Sequence, residues 1–148
     1  MRFQLALNVD DLDQAVAYYS KLLGAPVHKR KPGYANFAVD EPPIKLVLFE
    51  NPGASERLNH VGFESSDDAE VEGAIERLSA AGIATEVIRD EHCCHARKST
   101  VWAQDPQGLM WEFYKVQRDE ASFGPDVPEP DSRPAPPADA AGGVCCGG

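Results

Sequence analysis

An alternating run that closes on two aspartates occurs twice in the chain. Phe3-Gln4-Leu5-Ala6-Leu7-Asn8-Val9 leads into Asp10-Asp11, and Asn59-His60-Val61-Gly62-Phe63-Glu64-Ser65-Ser66 leads into Asp67-Asp68. Apolar and polar residues alternating at period two read as a strand with one buried face, and an aspartate before a helical pattern reads as its N-cap. After the first pair, Leu12, Ala15, Val16, Tyr19, Leu22 and Leu23 form one face of a helix that stops at Gly24. After the second, Val71, Ala74, Ile75 and Leu78 do the same before Gly82. Strands are expected at Val27–Lys31, Tyr34–Val39 and Lys45–Glu50 in the first half, and at Thr85–Arg89, Thr100–Gln104 and Trp111–Val116 in the second. Breakers separate them: Lys31-Pro32-Gly33, Glu41-Pro42-Pro43, Asn51-Pro52-Gly53 and Asp105-Pro106-Gln107-Gly108. Each half is therefore β-α-β-β-β, with a period of about 56 residues. The expectation is an α+β fold of two tandem modules, about 1–56 and 57–117, whose strands form one curved mixed sheet around a cleft.

Composition changes near residue 118. From Arg118 to Gly148 there are six prolines, no aromatic beyond Phe123 and no periodicity, which reads as a disordered acidic tail over 118–148. The whole chain carries 14 basic and 24 acidic residues, a formal charge of −10, and no basic face that nucleic acid would require. No apolar run reaches membrane-spanning length, and the N-terminal residues lack a signal-peptide pattern, so a cytoplasmic protein is expected.

The four cysteines come as two adjacent pairs, Cys93-Cys94 between His92 and His95, and Cys145-Cys146 near the C-terminus. Neighbouring thiols close a disulfide poorly, because the ring distorts the peptide between them. Two thiolates converge readily on one soft, thiophilic ion. His92, His95, Arg97 and Lys98 make the segment around the first pair cationic or nearly so, which favours the thiolate. That segment, Asp90–Lys98, is expected as a loop at the cleft mouth. A zinc site built from His92, Cys93, Cys94 and His95 fits less well, because consecutive ligands splay apart.

Gln4-Leu5-Ala6-Leu7-Asn8-Val9-Asp10-Asp11-Leu12, Lys31-Pro32-Gly33-Tyr34-Ala35-Asn36-Phe37-Ala38, Lys45-Leu46-Val47-Leu48, Leu58-Asn59-His60 and Cys93-Cys94, in this order, resemble the ArsI/CadI family. That family comprises C–As bond lyases and cadmium-induced proteins within the vicinal oxygen chelate superfamily of glyoxalase-like metalloproteins. The resemblance runs from about residue 1 to residue 117. It implies a glyoxalase-like fold with a metal held by Gln4, His60 and Glu112. Alternation separates Glu112 from Trp111 and Phe113 by strand face, and a carboxylate between aromatics needs a partner. Taken singly, His60 also fits a hydrogen-bonded core histidine, and Gln4 an edge-strand amide.

The resemblance further implies Fe(II), with Ni, Mn and Zn accommodated by the same donors. It implies a trivalent organoarsenical, such as methylarsenite or an aromatic arsenical, held by Cys93 and Cys94, and O2-dependent cleavage to inorganic As(III). Cys145 and Cys146 are candidate accessory thiols for the released arsenic. Many relatives carry a lysine where Thr100 stands and an aromatic where His95 stands. Lys98 is expected on the opposite strand face from Thr100. A thiol-based Cd or As sequestering protein is the alternative from another class, and a glyoxalase-type isomerase or thiol-conjugating enzyme is a third. A homodimer is compatible with the layout but not required, since two modules complete a cleft.

Overall fold

The computed structural model describes residues 1–93 and 96–119. Its elements follow the repeat: β1 (Arg2–Val9), α1 (Leu12–Leu23), β2 (Lys29–Lys31), β3 (Tyr34–Val39) and β4 (Ile44–Glu50), then β5 (Leu58–Ser65), α2 (Asp68–Ala80), β6 (Thr85–Cys93), β7 (Ala96–Gln104) and β8 (Met110–Asp119). Both helices start where the sequence places them. Asp11 accepts from the Gln14 N–H and Asp67 from the Ala69 N–H, so each side chain satisfies a donor that the first turn leaves open. Helix α1 ends at Gly24, whose φ of 61° is the left-handed conformation that glycine adopts without a Cβ clash.

The eight strands form one sheet in the order β2-β3-β4-β1-β5-β8-β7-β6. Antiparallel β1 and β5 join the halves at its centre, and each is flanked by the last strand of its own half in parallel, β4 and β8. The two halves are thus mirrored in strand order about the β1–β5 seam. Both helices cover one face. Leu12 and Ala15 of α1 pack with Leu5, Leu7 and Val9 of β1 and with Ala35, Phe37, Leu46 and Leu48. Val71, Ala74 and Leu78 of α2 pack on Val101, Ala103 and Phe113. Leu22 departs from the expected apolar face of α1, being 60% exposed. It lies at the margin of the stripe set by Leu12, Ala15, Tyr19 and Leu23.

Alternation then dictates what faces the other way. Gln4, Ala6 and Asn8 of β1 point away from the helices, with His60 on β5, Glu112 and Tyr114 on β8, and Lys98, Thr100 and Trp102 on β7; all are buried. The second hairpin is longer than expected. β6 continues to Cys93 and β7 starts at Ala96, so the polar segment read as a loop is largely paired strand. Among the described residues, no helix is long and apolar enough to cross a membrane.

Candidate metal and substrate site

The central strands bring the three expected donors together from positions 4, 60 and 112. On β5, Gly62 lies opposite Gln4 of β1 and opposite Glu112 of β8. A Cβ at Gly62 would lie 2.5 Å from the Glu112 carbonyl oxygen, so a glycine is what lets β8 approach this closely. Gln4 Nε2 lies 2.9 Å from His60 Nε2 and 3.1 Å from Glu112 Oε2, and those two atoms are 3.3 Å apart. All three residues are buried, Glu112 to 1% exposure.

A relay of amides sets the histidine tautomer. Asn8 Nδ2 donates to the Glu56 carbonyl at 3.0 Å, which can only accept. Asn8 Oδ1 therefore accepts from Asn59 Nδ2 at 2.9 Å, and Asn59 Oδ1 faces His60 Nδ1 at 2.7 Å. An amide oxygen there requires the hydrogen on Nδ1, so in the neutral ring it is Nε2, the nitrogen facing Gln4 and Glu112, that carries the lone pair. The imidazole is held edge-on to Trp102, with ring centroids 5.2 Å apart.

Glu112 is divided between two partners. Lys98 Nζ donates to Oε1, while Oε2 faces the gap shared with His60 and Gln4. Burial pushes the carboxyl pKa up, but the Lys98 ammonium, with the His60 ring when that is protonated, more than offsets this and holds it at about 2. Lys98 also lies 5.8 Å from the Trp102 ring centroid and 5.1 Å from that of Tyr114. Tyr114 donates its O–H to Gln4 Oε1. Its own burial, with the Glu64 and Glu112 charges nearby, pushes the phenol well above its ordinary range, so it stays a donor.

Among the described residues no group of three or more His, Cys, Asp or Glu side chains gathers; the third polar group beside His60 and Glu112 is the Gln4 amide. The spacing fits. Donors about 2.1 Å from a metal and at right angles to one another lie about 3.0 Å apart, against 2.9, 3.1 and 3.3 Å here. Turning the Gln4 amide over puts Oε1 in the third corner, because amide nitrogen and oxygen are nearly isosteric. One amide, one imidazole and one carboxylate on one side of an ion leave further positions open.

The thiol pair is less fully described. Cys93 closes β6 and pairs with Ala96, while Cys94 and His95 lie outside the described residues, as do Cys145 and Cys146. Cys93 stands opposite the start of β7, six residues before Trp102, the β7 residue that pairs with Glu112. Extended strand covers that separation in roughly 20 Å, so Cys93 is not brought into the triad. Both ladders of β7 shift register in this stretch, between Ile88 and Glu91 and between Arg97 and Lys98, and such bulges bend a hairpin.

Lys98 corrects the sequence reading twice. Residues two apart share a strand face, so Lys98 lies on the same side as Thr100, and its ammonium donates to Glu112. Asn8, Asn59 and Tyr114 were not anticipated as site residues. Alternation from Gln4 to Asn8 and from Glu112 to Tyr114 was the available signal.

Residues 3–113 match the family described as Glyoxalase/Bleomycin resistance protein/Dioxygenase superfamily. The chain is 46% identical over 147 residues to the cadmium-induced protein CadI of Mycobacterium tuberculosis, which covers 99% of this chain and 93% of that protein. It is 48% identical over 119 residues to the trivalent organoarsenical cleaving enzyme of Thermomonospora curvata, covering 80% of this chain and 79% of the relative. Among solved structures, a catechol 2,3-dioxygenase superposes with a TM-score of 0.58 at 25% identity, over 85% of this chain and 44% of that one.

Proposed function

Because the chain belongs to the Glyoxalase/Bleomycin resistance protein/Dioxygenase superfamily and, within it, to the ArsI/CadI family, we propose that it is an Fe(II)- and O2-dependent lyase that cleaves the carbon–arsenic bond of trivalent organoarsenicals. The observation that carries this reading is the triangle of Gln4, His60 and Glu112, with the spacing of three ligands on one metal. Similarity to a relative named for organoarsenical cleavage supplies the substrate class.

His60 Nε2, Glu112 Oε2 and the Gln4 amide oxygen hold the metal. Lys98 keeps the second carboxylate oxygen occupied, so Glu112 binds through one atom. Asn59 holds the His60 ring and its tautomer. Fe(II), when bound, supplies O2 activation at the positions the protein leaves open; Ni, Mn or Zn would satisfy the same donors. Cys93 and Cys94 bind trivalent arsenic by exchange. Each As–OH is replaced by As–S, and the thiol hydrogen leaves with the hydroxide as water. Two sulfur bonds fix the arsenical in one orientation, and bending of the bulged β6–β7 hairpin would have to carry it to the triad. Burial of the triad keeps bulk water from the reacting atoms. Cys145 and Cys146 are accessory thiols that take up released As(III).

The test is aerobic turnover of methylarsenite by Fe(II)-loaded protein, with arsenic species resolved by chromatography. Inorganic As(III) should appear only with O2, Fe(II) and the intact thiol pair, and not in an anaerobic sample or in Cys93→Ser. The similarity to a cadmium-induced protein over nearly the whole chain favours one second reading, sequestration of Cd(II) or As(III) by thiols. That reading predicts methylarsenite bound in proportion to protein, unchanged, with no O2 consumed.

A further inference from the structure

Two aromatic rings lean in over His60, one from each half of the sheet. Phe49 comes from β4 and Trp102 from β7, and each of those strands lies two places from β5 in the sheet order. Two strand spacings amount to about 10 Å. The Phe49 and Trp102 ring centroids nevertheless come within 6.4 and 5.2 Å of that of His60. The curved sheet thus sets an aromatic wall on either side of the triad. Each wall is braced from behind. Tyr34 lies against Phe49 with centroids 5.7 Å apart, and Asn36 Nδ2 donates to the Tyr34 hydroxyl at 2.7 Å. Trp102 packs with Met110 and Ile88, and the Lys98 ammonium lies 5.8 Å from its ring centroid. Neither Phe49 nor Trp102 has an atom that binds a metal, and the reaction as proposed leaves both without a role.

We propose that Phe49 and Trp102 are specificity-determining residues that receive the organic group on arsenic, and that they favour an aryl group over methyl. The inference rests on the reading of Gln4, His60 and Glu112 as the metal site of an organoarsenical lyase. Those three residues are rooted in β1, β5 and β8, so a metal they hold turns its remaining positions away from the sheet and into the cleft. An arsenical that reaches those positions comes between the two rings. An aryl group there meets a ring on each side, and aromatic pairs attract beyond the area they bury. A methyl group is too short to touch both walls and has no ring to pair with them. Two braced walls also confine the aryl group about its bond to arsenic, so that the bond to be cleaved is presented in one orientation.

The experiment compares kcat/KM for phenylarsenite and methylarsenite in the full Fe(II)-loaded chain, for wild type, Phe49→Leu and Trp102→Leu. Wild type should favour phenylarsenite, and each variant should lower the phenyl-to-methyl ratio about 3- to 10-fold, the scale of one aromatic pair. Rings that only pack His60 would lower both substrates alike, so an unchanged ratio overturns the proposal, as does a wild type that favours methylarsenite. A second measurement leaves both rings in place. Trp111, the other of the two tryptophans, is stacked on Phe63 at 6.2 Å on the helix-covered side. In Trp111→Phe the tryptophan emission therefore comes from Trp102 alone. Without O2, phenylarsenite should change that emission more than methylarsenite does, and an equal response overturns the proposal. Wild type that turns over neither arsenical overturns the lyase reading, and this inference with it. Wild type that turns over both, with a ratio the variants leave unchanged, overturns this inference alone.

Discussion

The Glu112 carboxylate is buried to 1% exposure and ionised, with Lys98 on one oxygen and the Gln4–His60 gap on the other. Its pKa in the folded chain, about 2, lies below its usual 4.5. The unfolded chain therefore takes up this proton first as pH falls, and the stability Glu112 contributes is full above about pH 4.5 and lost on descent to about pH 2. Lys98→Met removes the partner and leaves a buried charge, so the metal-free variant should be less stable at pH 7 by about 3–5 kcal/mol. Urea unfolding at pH 3 and pH 7 checks the sign: the gap between wild type and variant should widen as pH rises. Equal gaps would mean that Lys98 does not hold this carboxylate. The three ligand candidates were legible because each stands at a distinctive place in a strand pattern. Lys98 was not, because a polar run beside two cysteines reads as loop, and only the strand pairing shows that alternation already applies at residue 98.

Strand pairing sets the site's dimensions. Gly62 has no Cβ, and one added there would meet the backbone of β8 at 2.5 Å, far inside contact distance. Gly62→Ala should force β5 and β8 apart at the level of Glu112, cost about 1–3 kcal/mol in unfolding free energy, and weaken metal binding. Denaturant titration and a chelator competition read the two effects separately. Metal affinity equal to wild type would remove β5–β8 spacing from the account. The helices and the central strands were legible from capping and alternation. The β6–β7 hairpin was cut short in the sequence reading because Asp90–Lys98 is polar, and an edge strand such as β6 needs no apolar run.

At the scale of the molecule, the repeat is nearly symmetric in strands but not in chemistry. Gln4 and His60 occupy matching positions in β1 and β5. The β4 residue paired with Ala6 is Val47, and the β8 residue paired with Gly62 is Glu112. Val47 packs with Ala6, Tyr34 and Phe49 in an apolar cluster where the second half has its carboxylate. The fold therefore completes one triad per chain. The periodicity made the two-module sheet legible, but which half supplies the third donor follows only from the register. The measurement that tests the account most directly is Fe(II) content and methylarsenite turnover of wild type beside Glu112→Ala, with arsenical binding measured in both. The account predicts about one Fe(II) per wild-type chain, and in Glu112→Ala neither iron nor turnover while methylarsenite still binds. Full turnover in Glu112→Ala would contradict it.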